Sequence, residues 1–325
     1  MVKGAHKLSV CMATYNGARY LSQQLDSIAA QSRRPDELVV SDDCSIDDTP
    51  VIVRNFSRRA PFPVRLYTNE KNLGISANFQ QAVQQADGDI LLLCDQDDVW
   101  RAEKIRRVEE HFAQDPDSAL VFHDTNVVDE HLRSLGYTFW DRVGFCARDR
   151  QRVVEGFGFD VLLAHSFVAG ATLAFRARFR SLVLPLPEIW LYDAWIVLTI
   201  ASVAKAQIIP AQLADYRQHP MQVMGGRRQG LWRSWREARH SVNAQYFVDM
   251  ASRYDVLGRR LVARQVSLEP RILPMIEARR RLCLARAAMR SRPLLRYPLL
   301  LREVLTGRYH RLANGWKSVA LDVFV

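Results

Sequence analysis

Short apolar runs alternate with helix-period segments over the first hundred residues. Leu8–Ala13, Glu37–Ser41, Val64–Thr68 and Asp89–Cys94 have the length and character of buried strands. Between them, Tyr20, Leu21, Leu25 and Ile28 recur at helical spacing. Val51–Arg58 follows a stretch rich in N-cap residues, and Asn78, Phe79 and Val83 mark a third helix. Strand and helix alternating at this spacing predict a largely parallel α/β sheet. Further along, the pattern predicts a helix over Glu103–Phe112 and a strand over Ala119–Phe122 that His123-Asp124 ends. It then predicts a strand over Leu173–Phe175, an apolar helix from Tyr192 to about Ala204, and a strand over Gln207–Pro210. Residues 127–153 show no firm periodicity. From Arg227 onward the chain reads as helical. Trp232, Trp235, Val242, Tyr246 and Met250 fall on one stripe there, and Pro293 and Pro298 act as breaks.

The polar punctuation carries the candidate chemistry. Thr14-Tyr15-Asn16-Gly17 ends the first strand, Asp42-Asp43 the second, and Asp95-Gln96-Asp97-Asp98 the fourth. Parallel strands bring these carboxyl ends to one edge of the sheet, where open α/β sheets place ligands. Three carboxylates in four residues repel one another unless a cation or donor groups neutralise them. Hard oxygen donors suit Mg²⁺ or Mn²⁺, which bridge protein carboxylates to substrate phosphates. A solvated turn with Asp98 capping the next helix accounts for the same four residues. No G-x-G-x-x-G opens a helix and no P-loop, HExxH or G-x-S-x-G motif occurs, which disfavours dehydrogenase, P-loop, metalloprotease and serine-hydrolase chemistry.

Composition changes this picture in one respect. The chain has 325 residues, 48% hydrophobic and 25% charged, as in ordinary globular proteins. Its five scattered cysteines form no metal-spaced pair, and no signal-peptide layout precedes the first strand, so a cytoplasmic setting is expected. The net charge of +10 is uneven: residues 226–325 carry +14 and residues 1–225 carry −4. Two regions are expected, 1–225 and a basic helical extension, 226–325. Such asymmetry suits an anionic partner such as a membrane surface, or else solvated arginine-rich helices. No recognised nucleic-acid motif accompanies the arginines, so no nucleic-acid partner is expected.

Ala13-Thr14-Tyr15-Asn16-Gly17, Ser41-Asp42-Asp43, Asn72-x-Gly74-x-x-x-Asn78 and Asp95-Gln96-Asp97-Asp98-Val99-Trp100, in that order, resemble the family 2 glycosyltransferases, most closely the bacterial rhamnosyltransferase branch. Cys44 departs from the family's usual glycine and Ile46 from its usual threonine. The resemblance implies a GT-A fold: a Rossmann-like, mostly parallel sheet flanked by helices, here with the basic C-terminal extension. It implies inverting transfer from a nucleotide-diphospho-sugar, with dTDP-L-rhamnose as donor, to a hydroxyl of a surface-glycan or lipid-linked acceptor. Other UDP- or GDP-linked sugars on the same fold, or a binding module that has lost catalysis, are the alternatives.

Residue by residue, the resemblance gives Thr14, Tyr15, Asn16, Asp42, Asn72, Gly74, Asn78, Asp95 and Arg217 to the nucleotide sugar. Asp97, Asp95 and His219 go to a divalent metal, Mg²⁺ or Mn²⁺. Gly170, Tyr192 and Trp195 go to the acceptor, and Asp193 is the catalytic base. Several have plain structural readings too. Gly170 suits tight packing, Asp193 suits a helix cap, and a single histidine such as His219 usually ligates nothing. Tyr192 stands where the family more often has His or Glu. An aromatic stripe beside arginines also suits peripheral contact with the inner face of an anionic membrane.

Overall fold

The computed structural model describes residues 6–220, 222 and 242–324. Trp232 and Trp235, expected on the helical stripe, lie outside the described residues. The chain divides into two compact units, Met1–Gly156 with Phe167–Gly225, and Phe157–Ser166 with Gly226–Val325.

The first unit is built on β1 (Leu8–Thr14), β2 (Glu37–Asp42), β3 (Val64–Thr68), β4 (Ile90–Cys94), β5 (Val99–Trp100), β6 (Ser118–Val128), β7 (Ser134–Thr138), β8 (Leu173–Arg176) and β9 (Lys205–Arg217). They form one sheet in the order β3-β2-β1-β4-β8-β6-β9-β5, with β7 added to β6. The β3-β2-β1-β4 half is parallel, β8 runs antiparallel to both of its neighbours, and β6 and β9 are parallel. β1, β2 and β4 are buried along their whole length, which is why they read as continuous apolar runs. Their side chains pack with Leu21, Leu25, Ile28, Val53, Phe56, Ile105, Val108 and Phe112 from the flanking helices in one core.

β6 runs six residues beyond the expected end at Phe122, through His123 and Asp124. Polar residues interrupt its apolar pattern. The strand continues because β9 pairs with it to Val128 and β7 pairs with its last residues. The segment without periodicity holds β7 and two short helices, Phe139–Val143 and Ala147–Arg152. Cys44 has φ of 62°, the left-handed region that glycine occupies at least cost. The departure from glycine there is thus conformational.

The second unit holds helices Gly158–Ala164, Ala244–Ala263, Ile272–Ser291, Arg296–Leu305, Arg308–Leu312 and Trp316–Phe324. The Ala244–Ala263 helix buries Phe247, Ala251, Tyr254, Leu257 and Leu261. Its inward face is therefore one residue on from the expected stripe, and Tyr246 is exposed. Pro298 does not break a helix. It sits in the first turn of Arg296–Leu305, where a backbone N–H has no intrahelical acceptor to lose. Among the described residues no helix is long and apolar enough to cross a membrane.

Candidate active site

The three acidic or polar strand ends meet where β1, β2 and β4 stop side by side. Thr14 is in register with Asp42, and Met12 with Cys94, the residue before Asp95. Thr14 Oγ1 donates to Asp42 Oδ1 at 2.8 Å, and Ser45 donates to both oxygens of Asp42 through its hydroxyl and its amide. Asp42 is fully buried. It supports the loops after β1 and β2 from beneath. Asn16 is a staple in the same loops: its amide donates to Ser45 Oγ and its Oδ1 accepts from the Ile46 amide. Asp43 plays the matching part for the next turn, accepting from Asn69 Nδ2 and from the amides of Leu73 and Gly74. Gly74, at φ 83°, needs its missing side chain there, and the exposed Asn72 accepts from its amide. Asn78 is buried and donates to Thr14 O. It too is a support. Tyr15 is half exposed, and its backbone is clamped at both N–H and C=O by the Gln96 side chain. Gln96 thereby ties the loop after β1 to the acidic cluster.

Asp95 is half-buried, Asp97 similarly so, and Asp98 is fully buried. Loss of hydration, then the neighbouring Asp97 carboxylate, pushes the Asp95 pKa up to about 7. Burial and the same neighbours raise Asp98 well above the usual carboxylate range. The balancing cation supplied by the chain is Lys104, which is itself buried. Its Nζ donates to Ala171 O at 2.7 Å and lies 3.6 Å from the Trp100 ring centre, and burial lowers its pKa to about 7. Burial and mutual repulsion thus hold Asp95 and Asp98 toward the protonated form. Crowded hard oxygen donors of this kind fit a Mg²⁺ or Mn²⁺ ion. The expected three-member set is not assembled, because His219 Nε2 lies 2.8 Å from Asp97 Oδ2 and engages it directly. Among the described residues no group of three His, Cys, Asp or Glu side chains could hold a metal. Asp95 and Asp97 are the candidate ligands, and His219 orients one of them.

Arg217 is placed differently from expectation. Pairing of β5 with β9 carries it under the cluster, where it is 1% exposed. Its guanidinium donates to Asp97 O, Glu130 O and Gln23 Oε1 and lies over the Tyr20 ring, and its amide donates to Asp98 Oδ1. Three of its five N–H donors thus go to the scaffold, and in this position it holds the acidic loop. Arg217→Ala removes the partner of two half-buried carbonyls and leaves a cavity under the loop, and should cost about 3 kcal/mol of stability, read by urea unfolding. A drop in donor affinity at unchanged stability would contradict this placement.

The helix Tyr192–Ala201 brings up the other acid. Asp193 is half-buried at its first turn, and its Oδ1 accepts from the Ala194 amide at 2.7 Å. Loss of hydration raises its pKa to about 6, opposed by the amides of Ala194 and Gly170. Tyr192 is buried, stacks on Phe79 at 3.9 Å, and its hydroxyl lies 3.2 Å from Asp95 Oδ1. This bond joins the helix of Asp193 to the Asp95 cluster, a link that adjacent positions in sequence did not signal. Trp195 is not at the surface of the site. It is fully buried and its indole N–H donates to Val183 O, so it anchors the helix to the core and is corrected from an acceptor residue to a support.

Gly170 is required by close approach. A Cβ there would lie 1.9 Å from the Tyr192 hydroxyl oxygen. Gly170→Ala should lower turnover about a hundredfold, by moving Tyr192 off Asp95, and destabilise by about 2 kcal/mol. Turnover close to wild type would show that the Tyr192–Asp95 link is dispensable.

Residues 9–166 match the model of Glycosyl transferase family 2. That stretch, just under half of the chain, is similar to this family. An uncharacterized glycosyltransferase of Nostoc sp. is 28% identical over 66% of this chain and 65% of its own length. The chain spans 61–65% of the length of the curated relatives that it matches over most of its own sequence. The crystal structure of Staphylococcus aureus TarS 1–349 with UDP-GlcNAc is similar at TM-score 0.58 and 17% identity, over 87% of this chain and 72% of that one. The mannosyltransferase PcManGT from Pyrobaculum calidifontis with GDP-Man and Mn²⁺ is similar at TM-score 0.56 and 20% identity, over 98% of this chain and 85% of that one. The sheet and its flanking helices are thus the GT-A fold that the resemblance implies.

Proposed function

We propose that the chain transfers a sugar from a nucleotide-diphospho-sugar to an acceptor hydroxyl, with inversion at the anomeric carbon. The observation that carries this reading is a division of labour between carboxyl groups at one edge of the sheet. Asp95 and Asp97 form a charge-rich pair at the end of β4, while Asp193, on the neighbouring helix, has a pKa raised to about 6 by loss of hydration. A base poised just below neutrality is ionised at working pH yet basic enough to accept a proton as it is released. Asp193 takes the hydroxyl proton on a carboxylate oxygen. The acceptor oxygen forms its bond to the anomeric carbon as the bond to the diphosphate oxygen breaks, and the electron pair leaves with the nucleoside diphosphate. Asp95 and Asp97 would hold a divalent ion, which when bound would supply charge neutralisation at that leaving group. Tyr192 fixes Asp95 relative to the helix of Asp193. Gln96 and Asn16 shape the loop of Tyr15 on which the nucleotide rests.

The donor proposed first is dTDP-L-rhamnose, on the sequence resemblance to the rhamnosyltransferase branch, with a surface-glycan or lipid-linked acceptor. UDP-GlcNAc and GDP-Man, the donors held by the two similar structures, define the alternatives. Calorimetric titration of dTDP, UDP and GDP, each with Mn²⁺ and with EDTA, on wild type and Asp97→Ala tests the reading. Metal-dependent binding of one nucleotide, lost in the variant, is the expected result and names the donor class. Binding of none in any condition would overturn the proposal. Binding without turnover of any matching sugar nucleotide would favour the non-catalytic module.

A further inference from the structure

The second unit carries a helix whose amphipathicity is inverted. Leu294, Tyr297, Leu301 and Leu305 recur at spacings of three and four, so they form one stripe along the Pro293–Leu305 segment. That stripe faces solvent: the four residues are 94%, 64%, 60% and 78% exposed. Glu303, on the opposite side of the same helix, is 0% exposed. Its carboxylate takes Arg302 and Arg308. Asp322 in the last helix is likewise 0% exposed and holds Arg286, Arg290 and the Tyr309 hydroxyl. The two inward carboxylates are therefore paired, and the outward apolar stripe is not a packing defect of an ill-formed helix.

The same burial sets the sign of the surface. From residue 278 to the end the chain has eleven Lys and Arg and two acids, Glu303 and Asp322. Both acids are inside, so Arg292, Arg311 and Lys317 stand exposed with no surface carboxylate among them, beside the Glu303-paired Arg302. Trp316 and Phe324 add exposed rings, 67% and 64%. We propose that this face docks on an anionic lipid bilayer, with the Arg296–Leu305 helix lying in the interface. An apolar stripe with flanking cations gains twice there, from burial among acyl chains and from attraction to acidic headgroups. A second copy of the chain would bring unopposed cations together, and a nucleic acid would leave four apolar side chains without use.

Cosedimentation of the full chain with phosphatidylcholine vesicles, with and without a third of phosphatidylglycerol, tests the proposal at low and high salt and without nucleotide. Binding to the anionic vesicles only, weakened by salt, is expected. Leu301→Glu with Leu305→Glu should weaken it at least roughly tenfold, since both lose apolar burial and add repulsion. Arg292→Glu with Lys317→Glu should weaken it comparably, and melting curves should show all variants folded. No binding to anionic vesicles overturns the proposal. So does vesicle binding that survives the leucine changes, since it would then be charge alone. So do DNA binding of equal strength with the same variant dependence, or a dimer seen by light scattering that the leucine changes dissolve while vesicles are not bound.

Discussion

Asp193→Asn should lower turnover by about three orders of magnitude while nucleotide affinity stays near that of wild type, because a positioned base contributes about 10²–10⁴ to rate and touches no part of the nucleotide. The substitution preserves shape, and the asparagine oxygen can still accept from the Ala194 amide that holds Asp193 now. The pH profile gives an independent check. Loss of hydration holds Asp193 to about 6, and the base works only when ionised. Activity at saturating Mn²⁺ should therefore rise with pH, close to tenfold per unit below about 6, and level above it. In the Asn variant the residual rate should lose that limb. A variant with more than a tenth of wild-type turnover, or one retaining the limb, would remove Asp193 from the role of base.

The positions of the acids were legible in the sequence, whereas the directions of several partner side chains were not. β1, β2 and β4 are buried on both faces, so their runs are continuous and the residues that end them stand out. That is why Thr14, Asp42 and Asp95 could be placed at one edge. Arg217 and Trp195 were misjudged because what they bond lies far along the chain, Gln23 and Glu130 for one and Val183 for the other. A motif gives neighbours in sequence and no account of such distant acceptors. Lys104 was missed although a signal existed. It precedes Val108 by four and Phe112 by eight residues, on the buried stripe of its helix, where a lysine needs a local negative charge to justify it. His219 was read as a metal ligand, and the structure sets its Nε2 2.8 Å from Asp97 Oδ2.

Asp95→Asn should stabilise the metal-free protein and abolish its function, two effects of opposite sign from one carboxylate. Asp95 is held up at about 7 by loss of hydration and by Asp97, against 3.8 for an ordinary aspartate. Between these values the folded state binds more protons than the unfolded state, so stability falls as pH rises across that window and the deficit is complete above it. The full shift would correspond to about 4 kcal/mol at 1.36 kcal/mol per unit, and coupling to Asp97 together with partial exposure reduces the expectation to about 2 kcal/mol. Asparagine is neutral and its oxygen still accepts from Tyr192. Urea unfolding without metal should thus show the variant more stable than wild type by about 2 kcal/mol at pH 8 and equal to it near pH 4. Adding Mn²⁺ with the cognate nucleotide should reverse the order, because wild type gains binding free energy that the variant cannot. A variant no more stable at pH 8 would mean that the carboxylates of the cluster are not in electrostatic conflict. The argument for a cation at Asp95 and Asp97 would then lose its physical ground, whatever the activity of the variant.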